Sequence, residues 1–280
     1  MLTGIVLFVV ARDAFAYCRT TTCDPRVDEC QRNDEGCVKT GPAIRWRSLP
    51  IPYRFDSVGT EMLEEASARE AIRRAFDTWS NTMCGERRTS LRFKELPDAM
   101  GRKKMGSSGG SVPWLIYFRD DGWTHDKNEE DGDESLALTN QLFGKTYGYI
   151  DYADIEINTA DFKFAVDESE DGVDLEAVIT HEVGHYIGLA HSNIEGSVMA
   201  PRYHPERRSA DFNESHALSE DDERAVCALF PPRAEANEAT YPEGSCSASG
   251  TKTHGPATDP FLAIGAAIVM VVRRRLARSG

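Results

Sequence analysis

His181-Glu182-Val183-Gly184-His185-Tyr186-Ile187-Gly188-Leu189-Ala190-His191 gathers three of the chain's seven histidines into one short stretch. The spacing is H-E-x-x-H-x-x-G-x-x-H, and each fixed position has a physical reason. Residues four apart on a helix differ by about 40° in azimuth, so His181 and His185 can turn their imidazoles toward one ion. Glu182, beside the first of them, can reach a water on that ion without ligating it. Gly188 accepts a positive φ, which lets the chain leave the helix and return His191 as a third ligand. Three neutral imidazoles leave one coordination position of a zinc ion open, as in a catalytic rather than a structural site. The competing reading, three hydrogen-bonded histidines on a core helix, has no use for the glutamate and the glycine.

Around this stretch the hydrophobic periodicity gives one domain, from about Arg45 to Pro232. Ile51 to Phe55 alternates and predicts a first strand. Thr60 to Cys84 predicts a helix capped by Thr60, with Leu63, Ile72, Phe76, Trp79 and Met83 on one face. Leu91 to Phe93, Trp114 to Phe118 and Tyr149 to Asn158 predict further strands. Asp174 to Gly188 predicts a second long helix with an acidic cap, and Ser219 to Phe230 a third, with Ser219 as cap and Asp222 three residues on. Interleaved strands and helices with long loops make this an α/β or α+β domain on a mixed sheet.

Further residues extend the zinc pattern. Ser192 follows the third histidine, and Ser197-Val-Met-Ala-Pro201 places Met199 eight residues beyond it. Pro201-Arg-Tyr-His204, Leu218-Ser-Glu-Asp-Asp222 and Leu229-Phe-Pro-Pro232 follow, while Ile51 to Phe55 and Ala71 to Trp79 stand upstream. Together these resemble the matrixin branch of the metzincin zinc metallopeptidases. The resemblance implies a zincin-like fold: a mixed twisted sheet, a long first helix, a zinc-binding helix and a C-terminal helix. It implies one catalytic zinc on His181, His185 and His191, Glu182 as general base and acid, and Met199 as a floor under the histidines. It also implies a protein or peptide substrate bound as an added strand, for which Leu136 to Asn140 is the candidate edge. A monomer is expected. Two departures stand out. No histidine lies between Asp126 and Thr180, so the family's upstream structural zinc is expected to be absent. No cysteine-switch propeptide is recognisable, so any latency works otherwise; the cysteine-rich segment lying over the cleft is one such route. A zinc-containing binding or scaffold module without turnover is the rival reading, and it would not need Glu182.

The ends of the chain carry addresses. Residues 1–16 read as a signal peptide, an apolar run closed by Ala14-Phe15-Ala16, against the alternative of a buried first strand. Cys18, Cys23, Cys30 and Cys37 crowd into residues 17–44, which hold too little apolar surface to fold by burial. Disulfides are expected there rather than zinc, since no C-x-x-C pair or histidine accompanies them. Cys84 and Cys227, at the ends of two predicted helices, could staple them; Cys246 is the odd one. Residues 233–260 read as a linker. Residues 261–280 join a short apolar run to Arg273, Arg274, Arg275 and Arg278 and, with Cys246, resemble bacterial sorting tails of the MYXO-CTERM kind. A packing helix is the alternative for that run. A secreted or envelope-tethered protein follows.

Charge sets the remaining limits. The chain of 280 residues carries a net charge of −14, which argues against a nucleic-acid partner. No apolar run reaches 18 residues, so a multi-span membrane protein is excluded. Asp120 to Glu134 holds eight acids against Lys127. A bound Ca²⁺ is one reading of it, but the spacing departs from the EF-hand loop, and a solvated surface loop is the other. His125, His216 and His254 read as solvent-exposed, and His204 as a rim or surface residue.

Overall fold

The computed structural model describes residues 17–100, 112–123, 134–167, 171–203, 216–232 and 266–272, the last as backbone alone. The expected signal peptide (1–16), the expected linker (233–260), most of the acidic stretch, and His125, His204, Cys246 and His254 lie outside the described residues.

Alternation drives the sheet. In β2 (Ile51–Phe55) the odd residues are buried and the even ones half-buried, which fits a strand with one face on the core. It pairs in parallel with β5 (Phe93–Glu95) on one side and β6 (Leu115–Phe118) on the other. β6 pairs in parallel with β8 (Tyr149–Ile157), which also takes the short β1 (Arg45–Trp46) in parallel. The long β7 (Glu134–Phe143) then runs antiparallel to β8. With β11 (Ala266–Val272) outside β7, the order is β11-β7-β8-β6-β2-β5, a mixed sheet as expected, while β9 (Phe164–Ala165) and β10 (Val173–Asp174) form a separate parallel pair. The outer strand β11 comes from the apolar tail and lies antiparallel on β7, with Ile268 opposite Thr139. That part of the tail is therefore a strand, not a packing helix. Among the described residues no helix is long and apolar enough to cross a membrane.

Helix α1 (Glu65–Ser80) buries Ala68, Ala71, Ile72, Ala75, Phe76 and Trp79 as one stripe. Small alanines between large rings let it approach the sheet, and Phe76 stacks on Tyr53 of β2 at 4.2 Å between ring centroids. The helix is shorter at both ends than its periodicity predicts. Thr60 gives its hydroxyl to Asp120 Oδ1 (2.8 Å) instead of a helix start, and Glu64 caps through Ala66 and Ser67 N–H. At the other end the chain leaves the helix at Asn81, turns at Gly85 (φ +70°), and carries Met83 out to solvent in the hairpin of β3 (Met83–Cys84) and β4 (Arg87–Arg88). The strand expected over Leu91 to Phe93 forms two residues later, as β5.

Helix α2 (Leu175–Tyr186) is buried at every residue but Ala177, because it packs against both α1 and strands β7 and β8. Trp79 of α1 donates its indole N–H to Thr180 O at 2.8 Å and fixes the two helices to each other. Helix α3 (Glu220–Leu229) begins with the Ser219/Asp222 capping box.

Among the described residues three disulfides form: Cys18–Cys37, Cys23–Cys30 and Cys84–Cys227. The third links β3, just past α1, to α3, as the cysteine positions suggested. The first two knit residues 17–44 into a segment that docks on the turn following α2. There Arg19 forms a β-bridge to Leu189.

Candidate metal centre

The site grows out of the buried helix α2. Asp174 caps it by accepting from Ala177 N–H, and His216 Nε2 sits 2.7 Å from Asp174 Oδ2. His216 is thus buried and held by the start of α2, contrary to the exposed position its polar neighbours suggested. Its partners, Asp174 and Glu176, are some forty residues away in sequence.

His181 and His185 project from one face of α2. Gly188 (φ +107°) then ends the helix as expected, and the turn returns His191, whose ring centroid lies 5.3 Å from that of His181 and 4.8 Å from that of His185. His181 Nδ1 lies 2.7 Å from Val198 O, and His185 Nδ1 lies 2.9 Å from Leu189 O. A carbonyl only accepts, so each Nδ1 carries the proton and each Nε2 keeps its lone pair. The Nε2 atoms of all three histidines are buried and have no hydrogen-bond partner. One ligand nitrogen from each ring falls within 4.8 Å of the other two.

Burial keeps these rings neutral. It holds His181 down at about 4 and His191 at about 3, and it puts His185 well below its ordinary value, with the neighbouring imidazoles adding to the effect. Orphaned buried nitrogens cost stability unless something binds them. Three buried, neutral imidazole nitrogens with free lone pairs suit zinc, so His181, His185 and His191 would hold it.

Glu182 is fully buried beside the triad. Thr139 of β7 places its hydroxyl 2.6 Å from Glu182 Oε2 and 3.1 Å from the Glu182 carbonyl, while Oε1 has no partner. Burial pushes this carboxyl up to about 8; a dication on the three imidazoles would oppose that shift. Two positions along β7, Gln141 donates to His185 O at 2.6 Å. Neither β7 side chain announces itself in sequence, because a strand's contact with a helix forty residues on has no local pattern. Thr139 falls within the candidate edge strand Leu136 to Asn140, where nothing in its neighbours marks it apart.

Met199 is buried against α2 at Gly184, where a Cβ would stand 2.1 Å from its sulfur. Asp222 of α3 holds the turn in place by accepting from Ser197 Oγ (2.6 Å) and Val198 N–H (2.8 Å). Asp221 accepts from Ser192 Oγ (2.8 Å), next to His191. The structure thus gathers His181, Glu182, His185, His191 and Met199 into one place.

Comparison with known proteins agrees with this geometry. The family model described as Matrixin matches residues 45–231. Similar proteins include Matrix metalloproteinase-16 of Rattus norvegicus, 30% identical over 159 residues, which are 57% of this chain and 24% of the relative. Metalloendoproteinase 1-MMP of Arabidopsis thaliana is 28% identical over 216 residues, 75% of this chain and 51% of the relative. Interstitial collagenase of Oryctolagus cuniculus is 26% identical over 200 residues, 71% and 36% respectively. The chain thus spans between a quarter and a half of the length of these relatives. With three histidines gathered on and just after α2, Met199 packed against that helix and a family match over residues 45–231, the chain belongs to the matrixin family.

Proposed function

We propose that the chain is an exported zinc endopeptidase acting on extracellular or envelope proteins, with His181, His185 and His191 as metal ligands. The observation that carries this is the convergence of three buried, unpartnered imidazole nitrogens beside a buried glutamate with one free oxygen. Zinc held there supplies polarisation of the scissile carbonyl and a lowered pKa for the attacking water. Glu182 supplies the proton traffic: Thr139 pins Oε2, and Oε1 takes a proton from the water and delivers it to the amine nitrogen as the peptide bond breaks. Met199 makes no bond to the metal and supports the rings from below. A scaffold without turnover would gain nothing from burying Glu182 with an unpaired oxygen.

An extended substrate fits the edge of β7 that faces away from β8, by strand addition. In the structure β11 takes that edge, so substrate and tail compete for one ladder. The same tail residues cannot pair with β7 and serve as an envelope-sorting segment at once. Sorting would then clear the cleft.

The test is metal content together with hydrolysis of an unstructured protein, for the chain with and without residues 261–280 and for Glu182→Ala. The expected result is a single zinc in each, with cleavage abolished by Glu182→Ala and by a chelator. A folded protein that takes up no zinc, or that binds zinc and cleaves nothing with or without the tail, overturns the proposal.

A further inference from the structure

The disulfide-bonded N-terminal segment touches the metal centre from behind. Cys18, Arg19 and Thr20 run antiparallel to Gly188, Leu189 and Ala190, the turn that leads from α2 into His191. Thr20 N–H donates to Gly188 O at 3.0 Å, and Ala190 N–H donates to Cys18 O at 2.9 Å. A third bond comes from a side chain: Thr20 Oγ1 donates to Leu189 O at 3.0 Å. Leu189 O is the carbonyl that also accepts from His185 Nδ1. One carbonyl oxygen, using both lone pairs, therefore joins the threonine to a candidate zinc ligand.

The other side of this short ribbon is fixed as well. Ile44 N–H donates to Thr20 O at 2.9 Å, and Cys18 is tied to Cys37. Gly188 permits the close approach, since a Cβ there would stand 2.9 Å from Ile44 O. Residues 17–44 have little apolar surface with which to hold Cys18 and Thr20 in register, so the cross-links do this instead.

We propose that Thr20 is a positioning residue for the metal centre and that the disulfide-bonded segment is part of that centre. By donating to Leu189 O, Thr20 fixes the plane of the Leu189 peptide. Rotation of that plane would take away the acceptor that sets the His185 tautomer and ring orientation. The effect of such partners on metal affinity is typically about 10–100-fold. The proposal rests on the zinc reading of the triad.

The test uses the full chain loaded with zinc and follows zinc release to an excess of a chromophoric chelator. Thr20→Val keeps the shape and removes the donor, and is expected to release zinc about tenfold faster. Thr20→Ser restores the donor and is expected to restore the rate. The thermal unfolding midpoint of the metal-free Thr20→Val protein should lie within a few degrees of that of the metal-free wild type, because one half-buried hydrogen bond contributes little to the whole fold. The visible spectrum of the cobalt-substituted protein should change in Thr20→Val and not in Thr20→Ser. Wild-type release from Thr20→Val overturns the proposal. So does equal impairment of both variants, or a loss of metal-free stability large enough to account for the faster release. A wild type that takes up no zinc would overturn the site reading instead, so the two failures are told apart.

Discussion

Asp222 on α3 and His181 on α2 are joined through the main chain of one residue, Val198. Asp222 Oδ2 accepts from Val198 N–H at 2.8 Å, and Val198 O accepts from His181 Nδ1 at 2.7 Å. The same carboxylate caps its own helix through Ser219 and takes the Ser197 hydroxyl. A carboxylate more than forty residues beyond the first histidine thus sets the height of the methionine turn and, through it, one imidazole.

Asp222→Ala should therefore lower stability and zinc affinity together. It strands the Ser197 hydroxyl and the Val198 N–H in a buried site and removes a helix cap, at a cost of about 3 kcal/mol in all. Denaturant unfolding of the metal-free protein measures the first effect and chelator competition the second. Asp222→Asn, which keeps an acceptor, should fall between the two.

Gly184→Ala should destabilise the protein although alanine is the better helix former by about 1 kcal/mol. The added methyl group would stand 2.1 Å from Met199 Sδ and 3.0 Å from Trp79 Cζ2, both packed in the core. Overpacking of this kind costs about 1–3 kcal/mol. A thermal melt at or above the wild-type midpoint would show that Met199 moves aside freely.

Removing residues 261–280 should raise kcat/KM toward an unstructured protein, because β11 holds the edge of β7 with Ile268 opposite Thr139. Adding the tail as a separate peptide should reverse part of the gain. Equal rates with and without the tail would mean that β11 does not compete with substrate.

Asp154 gives a stability signature in pH. Burial pushes its carboxyl up to about 7, with the charge of Glu156 adding, against the Leu115 N–H and Tyr152 bonds that lower it. The native state then binds this proton more tightly than the unfolded chain does. The contribution to stability is full below about pH 4 and is lost as pH rises to about 7. Asp154→Asn keeps an acceptor for Leu115 N–H and does not titrate. The variant should therefore gain on the wild type by a few kcal/mol between pH 4 and pH 8, measured as the difference between paired denaturation curves. That difference cancels the histidine titrations common to both proteins. A pH-independent difference would refute it.

The centre of the site was legible in sequence because its geometry is local. A helix fixes the angle between His181 and His185, and Gly188 is needed at a positive φ to bring His191 back. The capping box at Ser219 and Asp222 was legible for the same reason. What escaped depends on partners remote in sequence. Thr60 has the chemistry of a helix cap, yet Asp120 takes its hydroxyl. Met83 fits the helical stripe, yet the hairpin at Gly85 carries it outward. His216 has polar neighbours in sequence and the start of α2 in space. Thr139, Gln141 and Thr20 reach the site from elements that only folding brings there.

The carbonyls of Val198 and Leu189, which settle how His181 and His185 present their nitrogens, belong to the main chain. Every residue type carries that oxygen, so replacing either side chain leaves the acceptor in place. Orientation at this centre is thus encoded in the path of two turns rather than in the identity of two partners. Anyone transplanting the site into another scaffold would have to copy those turns; grafting the three histidines alone would leave their tautomers to chance.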